Sequence, residues 1–161
     1  MNSRKLNSQL QRLTSLIGRT AAASAGELEL QGHWGRYLCI LVAGFLENAI
    51  GEIYAEFAHN VGSEPVANFV ATRVLRIQNP KAQRFIETAG TFKAEWAIDL
   101  DVFLNQEGRK DAIDSIMNNR HLIAHGQNAG ISVVRVKEYL DKCVEVVEFI
   151  EDQCGLVTTY E

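Results

Sequence analysis

Residues 119–126 read NRHLIAHG and combine side chains suited to acid–base chemistry on a phosphate. Arg120 precedes His125 by five positions, and His121 stands one helical turn before His125. Histidine exchanges protons readily near neutral pH, because its unperturbed pKa is about 6.5. Arginine offers a planar guanidinium that stays charged and matches the geometry of a phosphate. These two residue types cover the roles that metal-free cleavage of RNA requires.

Arg120 occupies an unusual position for a solvated surface charge. On a helical wheel it falls within an apolar stripe. The stripe consists of Ile113, Ile116, Met117 and Ala124. A guanidinium there must be paired with an acid or must face a groove that admits a ligand. Gly126 suits the position just after a helix, so we predict that His125 ends this helix beside a cleft.

Three interpretations of this motif are open from the residues alone. In the first, Arg120 is a buried ion-pair partner of Glu47, an acid within the most hydrophobic predicted helix. In the second, His121 and His125 are metal ligands on one helical face, although neither an HExxH pattern nor a nearby cysteine completes such a site. In the third, the motif cleaves RNA by activating its 2′-hydroxyl. The residues alone leave all three interpretations open.

Length and composition are those of a single globular domain. The chain has 161 residues, of which 47% are hydrophobic and 22% charged, and this length suffices for a real core. Two prolines and many periodic apolar segments predict an all-α fold. Three cysteines without zinc spacing predict a reducing, cytoplasmic location. The longest apolar run, residues 37–46, is too short to cross a bilayer, so we predict no membrane segment.

Periodicity divides the chain into an amphipathic N-terminal helix at 1–25, a bundle core at 34–154 and a tail at 155–161. Turn and cap signals predict a loop at 21–32 and then a long helix at 34–59. Further helices are predicted to start at Pro65 and at Asn79, and an aromatic-rich helix is predicted at 92–104. The motif helix is predicted at 109–125 after Gly108, followed by a loop at 127–130 and a last helix from Ser132 to 154.

Charge is unevenly distributed along the chain. The net charge of −4 argues against a generic nucleic-acid binder, because affinity for phosphate rests on clustered cations. Residues 66–84 nevertheless contain four cations and no acid, whereas residues 138–161 contain seven acids. We predict weak RNA contacts at the four cations, which are Arg73, Arg76, Lys81 and Arg84.

A single histidine per site would have to act as both base and acid. An isologous dimer removes that difficulty, because the same helix of each subunit would bring two copies of Arg120 and His125 into one cleft. Gly44, Gly51 and Ala55 form a strip of small residues that would permit close helix approach. We therefore predict a homodimer.

The motif and the helical layout resemble the HEPN superfamily. Residues 115–126, which read SIMNNRHLIAHG, and the helix that follows resemble its RiboL-PSP-HEPN group. The resemblance implies an HEPN-like antiparallel helical bundle with additional short helices. It also implies that Arg120 and His125 are catalytic and that His121 supports the site, with Glu47 as an orienting partner of Arg120. We place Asn119 among the supporting residues.

The resemblance further implies a metal-independent endoribonuclease that acts on single-stranded RNA as a homodimer and leaves a 2′,3′-cyclic phosphate. We therefore adopt the third interpretation and predict no metal and no cofactor. Such proteins serve as toxins or phage-defence effectors, so an antitoxin would be the expected partner. Other members are inactive. The alternative is therefore a non-catalytic helical interaction module that partners a nucleotidyltransferase or another protein.

Overall fold

The computed structural model describes residues 1 and 3–156. In this part of the chain, seven helices and no strand are present, and 80% of these residues are helical, which confirms the predicted all-α class. The helices are α1 (Arg4–Ala23), α2 (Leu28–Val61), α3 (Glu64–Val74), α4 (Ala82–Phe92), α5 (Ala94–Leu104), α6 (Arg109–Ala124) and α7 (Val133–Gln153). Of the predicted tail at 155–161, residues 157–161 lie outside the described residues, and Leu156 is buried.

Helix α2 is the central element, and α1, α3, α6 and α7 all pack against it. It is apolar on most sides, as expected for a helix that is surrounded by others. By length and composition, α2 could also cross a membrane, but 67% of its most apolar window is buried inside the fold. A buried core helix meets the same criterion of length and composition.

Neighbouring helices run antiparallel, as predicted. Asn48 of α2 donates a hydrogen bond to Gln9 of α1 over 3.2 Å. Lys5, which precedes Gln9 in α1, forms an ion pair with Glu52, which follows Asn48 in α2. The two helices therefore run in opposite directions. Phe103 of α5 stacks on Phe149 of α7, with ring centroids 4.2 Å apart. Gln153 of α7 donates to the earlier Trp96 carbonyl of α5 over 3.1 Å, so these helices are antiparallel too. The bundle therefore rests on long-range contacts between antiparallel helices.

The N-terminal helix is confirmed, but the predicted loop at 21–32 is wrong. Ser3 accepts a hydrogen bond from the Leu6 N–H and caps α1. The helix continues through the alanines at 21–23, because alanine is the strongest helix former. Gly26, with φ of +86°, marks the actual break, and α2 begins at Leu28.

Two predicted boundaries between α3 and α5 are also wrong. Asn79 does not cap a helix: it has φ of +49°, and α4 begins at Ala82. The Ala82 N–H donates instead to Asp114 of α6 over 2.8 Å, so another helix supplies the cap. The predicted helix at 92–104 is present as α5 and ends as predicted at Leu104, but it begins at Ala94, because the extended backbone of Lys93 separates it from α4.

The small-residue strip on α2 is used largely within the chain. Gly51 faces the backbone and side chain of Leu75, which an added Cβ would approach to 3.2 Å. Ala55 is buried, whereas Gly44 has open space beside it. A second glycine contact was not foreseen: a Cβ on Gly35 would overlap the Ile131 carbonyl oxygen.

We expect Gly35→Ala to lower the free energy of unfolding by about 1–3 kcal/mol, because backbone atoms cannot give way as a side chain does. Chemical denaturation measures this change. Gly18→Ala is the matched control, because Gly18 lies in α1 with nothing within 4 Å of an added Cβ. It should stabilise the protein by about 0.5–1 kcal/mol. Equal effects of the two substitutions would contradict the close approach at Gly35.

The three cysteines are buried and unpaired. Burial raises the pKa of Cys39 to about 12 and that of Cys154 to about 12. Burial also raises the pKa of Cys143, with a smaller contribution from nearby Cys39. These thiols stay protonated in the folded protein at neutral pH.

We expect the folded protein to resist alkylation at about pH 8, because the thiolate is the reactive form. An unfolded thiol ionises near pH 8.5, at about the ordinary pKa. The stability that the buried neutral thiols contribute is therefore complete below that pH and is lost as pH rises toward their folded pKa. Labelling followed by mass spectrometry, with and without denaturant, measures the reactivity. Rapid labelling of the folded chain would contradict the burial.

Candidate functional site

The motif lies at the end of α6, where local sequence determines the backbone. His125 is the C-cap, as predicted, and Gly126 has φ of +66°. The Gln127 N–H donates to the Leu122 carbonyl over 2.8 Å, and the Gly126 N–H donates to the Ile123 carbonyl over 3.1 Å. These two bonds form a Schellman motif, which glycine favours. The helix therefore ends with His125 held in a defined position.

The two histidines of the motif form a ring pair. The centroids of His121 and His125 are 4.4 Å apart, and their planes are tilted by 59°. Both residues are exposed. Two groups that can take up or release protons therefore stand side by side at the open end of α6.

Arg120 emerges where α6 leaves the core. Ile113, Ile116 and Met117 are buried, as predicted, but Ala124 is exposed and Arg120 is half-buried. The apolar stripe therefore ends earlier than predicted. Within the described residues, the Arg120 guanidinium makes no hydrogen bond or ion pair.

The backbone at Arg120 is nevertheless held in place. The Cys39 thiol of α2 donates to the Ile116 carbonyl over 3.4 Å, and the same sulfur contacts the backbone of Arg120. These contacts hold one turn of α6 against α2. The helix is thus anchored at the residue whose charged group is left without a partner.

The buried, paired arginine of α6 is Arg109. Its guanidinium donates to Glu145 over 2.6 Å and to Glu107 over 2.9 Å, and it lies 4.0 Å from the Phe103 ring centroid. Its side chain is 9% exposed, while the two carboxylates are about half exposed or more. The structural role considered for Arg120 is therefore filled by Arg109.

Glu47 and Asn119 are engaged elsewhere. Glu47 accepts a hydrogen bond from the Asn79 N–H over 2.6 Å, so the expected contact with Arg120 is not formed within the described chain. The Asn119 amide donates over 2.8 Å to the Ser115 carbonyl of its own helix. Among the described residues, neither side chain makes a hydrogen bond or an ion pair with His121, His125 or Arg120.

Arg36 is a site residue that the sequence reasoning missed. It lines a groove of about 420 Å³ beside the motif, together with Ile123, Gly126, Gln127 and Asn128. Its guanidinium lies 2.8 Å from His33 Nδ1. The sequence did carry a signal for this residue. Arg36 is the single charged residue in the largely apolar segment between Trp34 and Glu47.

The four predicted RNA-binding cations are exposed and belong to α3, α4 and the turn between them. Arg73 and Arg84 line the same cavity of about 150 Å³. Among the described residues, no group of three or more His, Cys, Asp or Glu side chains is placed to hold a metal ion. The arrangement at the end of α6 thus combines two imidazoles, a guanidinium that has no partner in the described part of the chain, and an adjacent groove.

We expect Arg109→Met and Arg120→Met to differ sharply in stability. Arg109→Met should lower the free energy of unfolding by about 1–3 kcal/mol, because it removes charge-assisted hydrogen bonds. Arg120→Met should change it by no more than about 0.5 kcal/mol, because no pairing is lost. Urea denaturation of both variants measures the difference. A strongly destabilising Arg120→Met would assign Arg120 to the structural role instead.

Comparison with known proteins identifies the fold family. The family model for RiboL-PSP-HEPN matches residues 3–155, which is nearly the whole chain. Neither a curated protein sequence nor a solved structure matches significantly. The match agrees with the all-helical architecture and with an RNA-related helical module of the HEPN type. The chain belongs to the RiboL-PSP-HEPN family.

Proposed function

We propose that this protein is a metal-independent endoribonuclease that cleaves single-stranded RNA. The observation that supports it is the open end of α6, where two exposed imidazoles stand 4.4 Å apart and follow the unpaired Arg120 in the sequence. The Arg120 guanidinium is half-buried and has no protein partner within the described residues, so it is available to bind an anion. Phosphate is the anion whose shape and charge suit a guanidinium.

The chemistry uses the 2′-hydroxyl of the RNA as nucleophile. A neutral imidazole removes the 2′-hydroxyl proton while the 2′-oxygen forms a bond to phosphorus. The bond from phosphorus to the 5′-oxygen breaks, and a protonated imidazole gives its proton to that leaving oxygen. Arg120 stabilises the charge that develops on the phosphate. The products are a 2′,3′-cyclic phosphate and a 5′-hydroxyl, and no water molecule is consumed.

His125 is assigned as the catalytic imidazole, with His121 in support. Because the two rings are in contact, proton removal and proton donation need not both fall on one ring. Two-fold pairing of subunits through the motif would add a second His125 and a second Arg120 to the cleft. We therefore include a homodimer in the proposal, with RNA as its substrate.

The biological setting is proposed from the family. Toxin or phage-defence effectors cleave cellular RNA, and an antitoxin would then be the partner that restrains this chain. The three unpaired thiols fit a reducing, cytoplasmic location. The competing function is a non-catalytic module that binds a nucleotidyltransferase or another protein.

The wild-type protein should cut single-stranded RNA in excess EDTA. His125→Ala should lower the rate by about 10²–10⁴-fold, because a positioned proton carrier is lost. Arg120→Ala should lower it by about 10²-fold or more, because charge on the phosphate is no longer stabilised. Gel analysis with mass spectrometry of the ends measures both the rate and the 2′,3′-cyclic phosphate.

The matched controls are His59→Ala and Arg19→Ala, which alter exposed residues of the same types outside the motif. Both should cut RNA at the wild-type rate. Substrates with hydrogen in place of every 2′-hydroxyl should not be cut. Cutting of DNA, or cutting that requires added divalent metal, would refute the mechanism. Failure to cut any RNA would favour the non-catalytic module.

A further inference from the structure

We propose that α3, α4 and the turn between them form a binding track for single-stranded RNA that leads to the histidine pair. The track consists of Phe69, Arg73, Arg76, Lys81 and Arg84. This inference rests on the proposed function, because it concerns how that function's substrate approaches α6. Beyond the four cations, it assigns a base-stacking role to Phe69 and gives the path that the RNA takes toward the histidine pair.

The start of α4 is attached to the face of α6 that carries the histidines. The Ala82 N–H donates to Asp114 over 2.8 Å. On a wheel of 100° per residue, Asp114, His121 and His125 fall within about 40° of one another. At about 1.5 Å per residue, His121 lies roughly 10 Å and His125 roughly 16 Å farther along α6. The track therefore begins on the same side of α6 as the imidazoles.

A second bond holds the turn from the other side. The Asn79 N–H donates to Glu47 of α2 over 2.6 Å, and Asn79 takes a left-handed backbone conformation, with φ of +49°. Lys81 lies between this bond and the one at Ala82. The turn that carries Lys81 is thus fixed to both α2 and α6, so its backbone has a defined place relative to the motif.

Phe69 and Arg73 supply a surface for stacking. Phe69 is 61% exposed, although it is a large apolar side chain. The Arg73 guanidinium lies 5.2 Å from its ring centroid. An exposed ring beside a cation is the combination on which bases of single strands stack.

The cations that follow Phe69 and Arg73 in the sequence are largely available. Arg76 and Lys81 are exposed and have no ion pair within the described residues. Arg84 lies 3.7 Å from Glu87, but both side chains are more than half exposed, so the pair is weak. Phosphate can compete with such a partner. Arg73 and Arg84 meet at one cavity, which links the two helices of the track.

Binding is tested apart from cleavage by using His125→Ala as the background. In that background, Arg76→Ala with Lys81→Ala should weaken binding of a single-stranded RNA by about tenfold. The slope of log affinity against log salt should also become shallower by about 1.4, which is about 0.7 for each phosphate contact. Phe69→Ala should weaken binding by about fivefold or more, with the salt slope unchanged. Fluorescence anisotropy over a salt series measures both quantities.

The matched control is Arg12→Ala with Arg19→Ala, which removes the same charge from exposed positions of α1. It should leave both affinity and salt slope as in the background protein. If this control weakens binding as much as the track variant, net charge alone is responsible and the track is refuted. Unchanged binding in the track variant and in Phe69→Ala would refute it as well. Circular dichroism checks that each variant is folded.

Substrate length separates this inference from the proposed function. In the active protein, the track substitutions should lower kcat/KM for a long RNA more than for a dinucleotide, which is too short to reach Phe69. Equal losses on both substrates would overturn the track without affecting the endoribonuclease. Loss of RNA binding in the track variants of a protein that cuts no RNA would support the track and refute the catalysis.

Discussion

Burial of α2 on most of its sides is the constraint on which the position of the motif depends. The Cys39 thiol of α2 contacts the backbone of α6 at Ile116 and Arg120. Because Gly35 of α2 has no side chain, the backbone at 131–132 can pack directly against the helix. These contacts hold the helix before the motif and the loop after it. The motif itself therefore projects from a framework that is fixed on both sides.

The two arginines of α6 illustrate how one helix separates structure from function. Arg109 is buried, makes hydrogen bonds to two carboxylates and lies over an aromatic ring. Arg120 is half-buried and makes no such bond within the described residues. The fold therefore provides hydrogen-bond acceptors for the guanidinium that it buries. At the motif, the guanidinium has no partner within the described residues, which leaves it available to an anion.

Local signals in the sequence predicted local structure well. Gly126 placed the helix end at His125, and Ser132 caps α7 by accepting a hydrogen bond from the Arg135 N–H. The errors arose where another helix intervened. Asn79 carried a strong cap signal, yet Asp114 of α6 supplies the cap at Ala82. The partner of Glu47 and the groove at Arg36 depend on packing between helices, which periodicity alone does not encode.

The net charge of −4 is compatible with RNA as substrate because of where the charges lie. Acidic residues are concentrated on α7, which packs against α1, α2, α5 and α6. The cations of the proposed track are on α3, α4 and their turn. At physiological salt, charges separated by more than about 8 Å are largely screened from one another at the surface. A phosphate at the track therefore responds to nearby guanidinium and ammonium groups, while the overall negative charge limits indiscriminate binding of nucleic acid elsewhere.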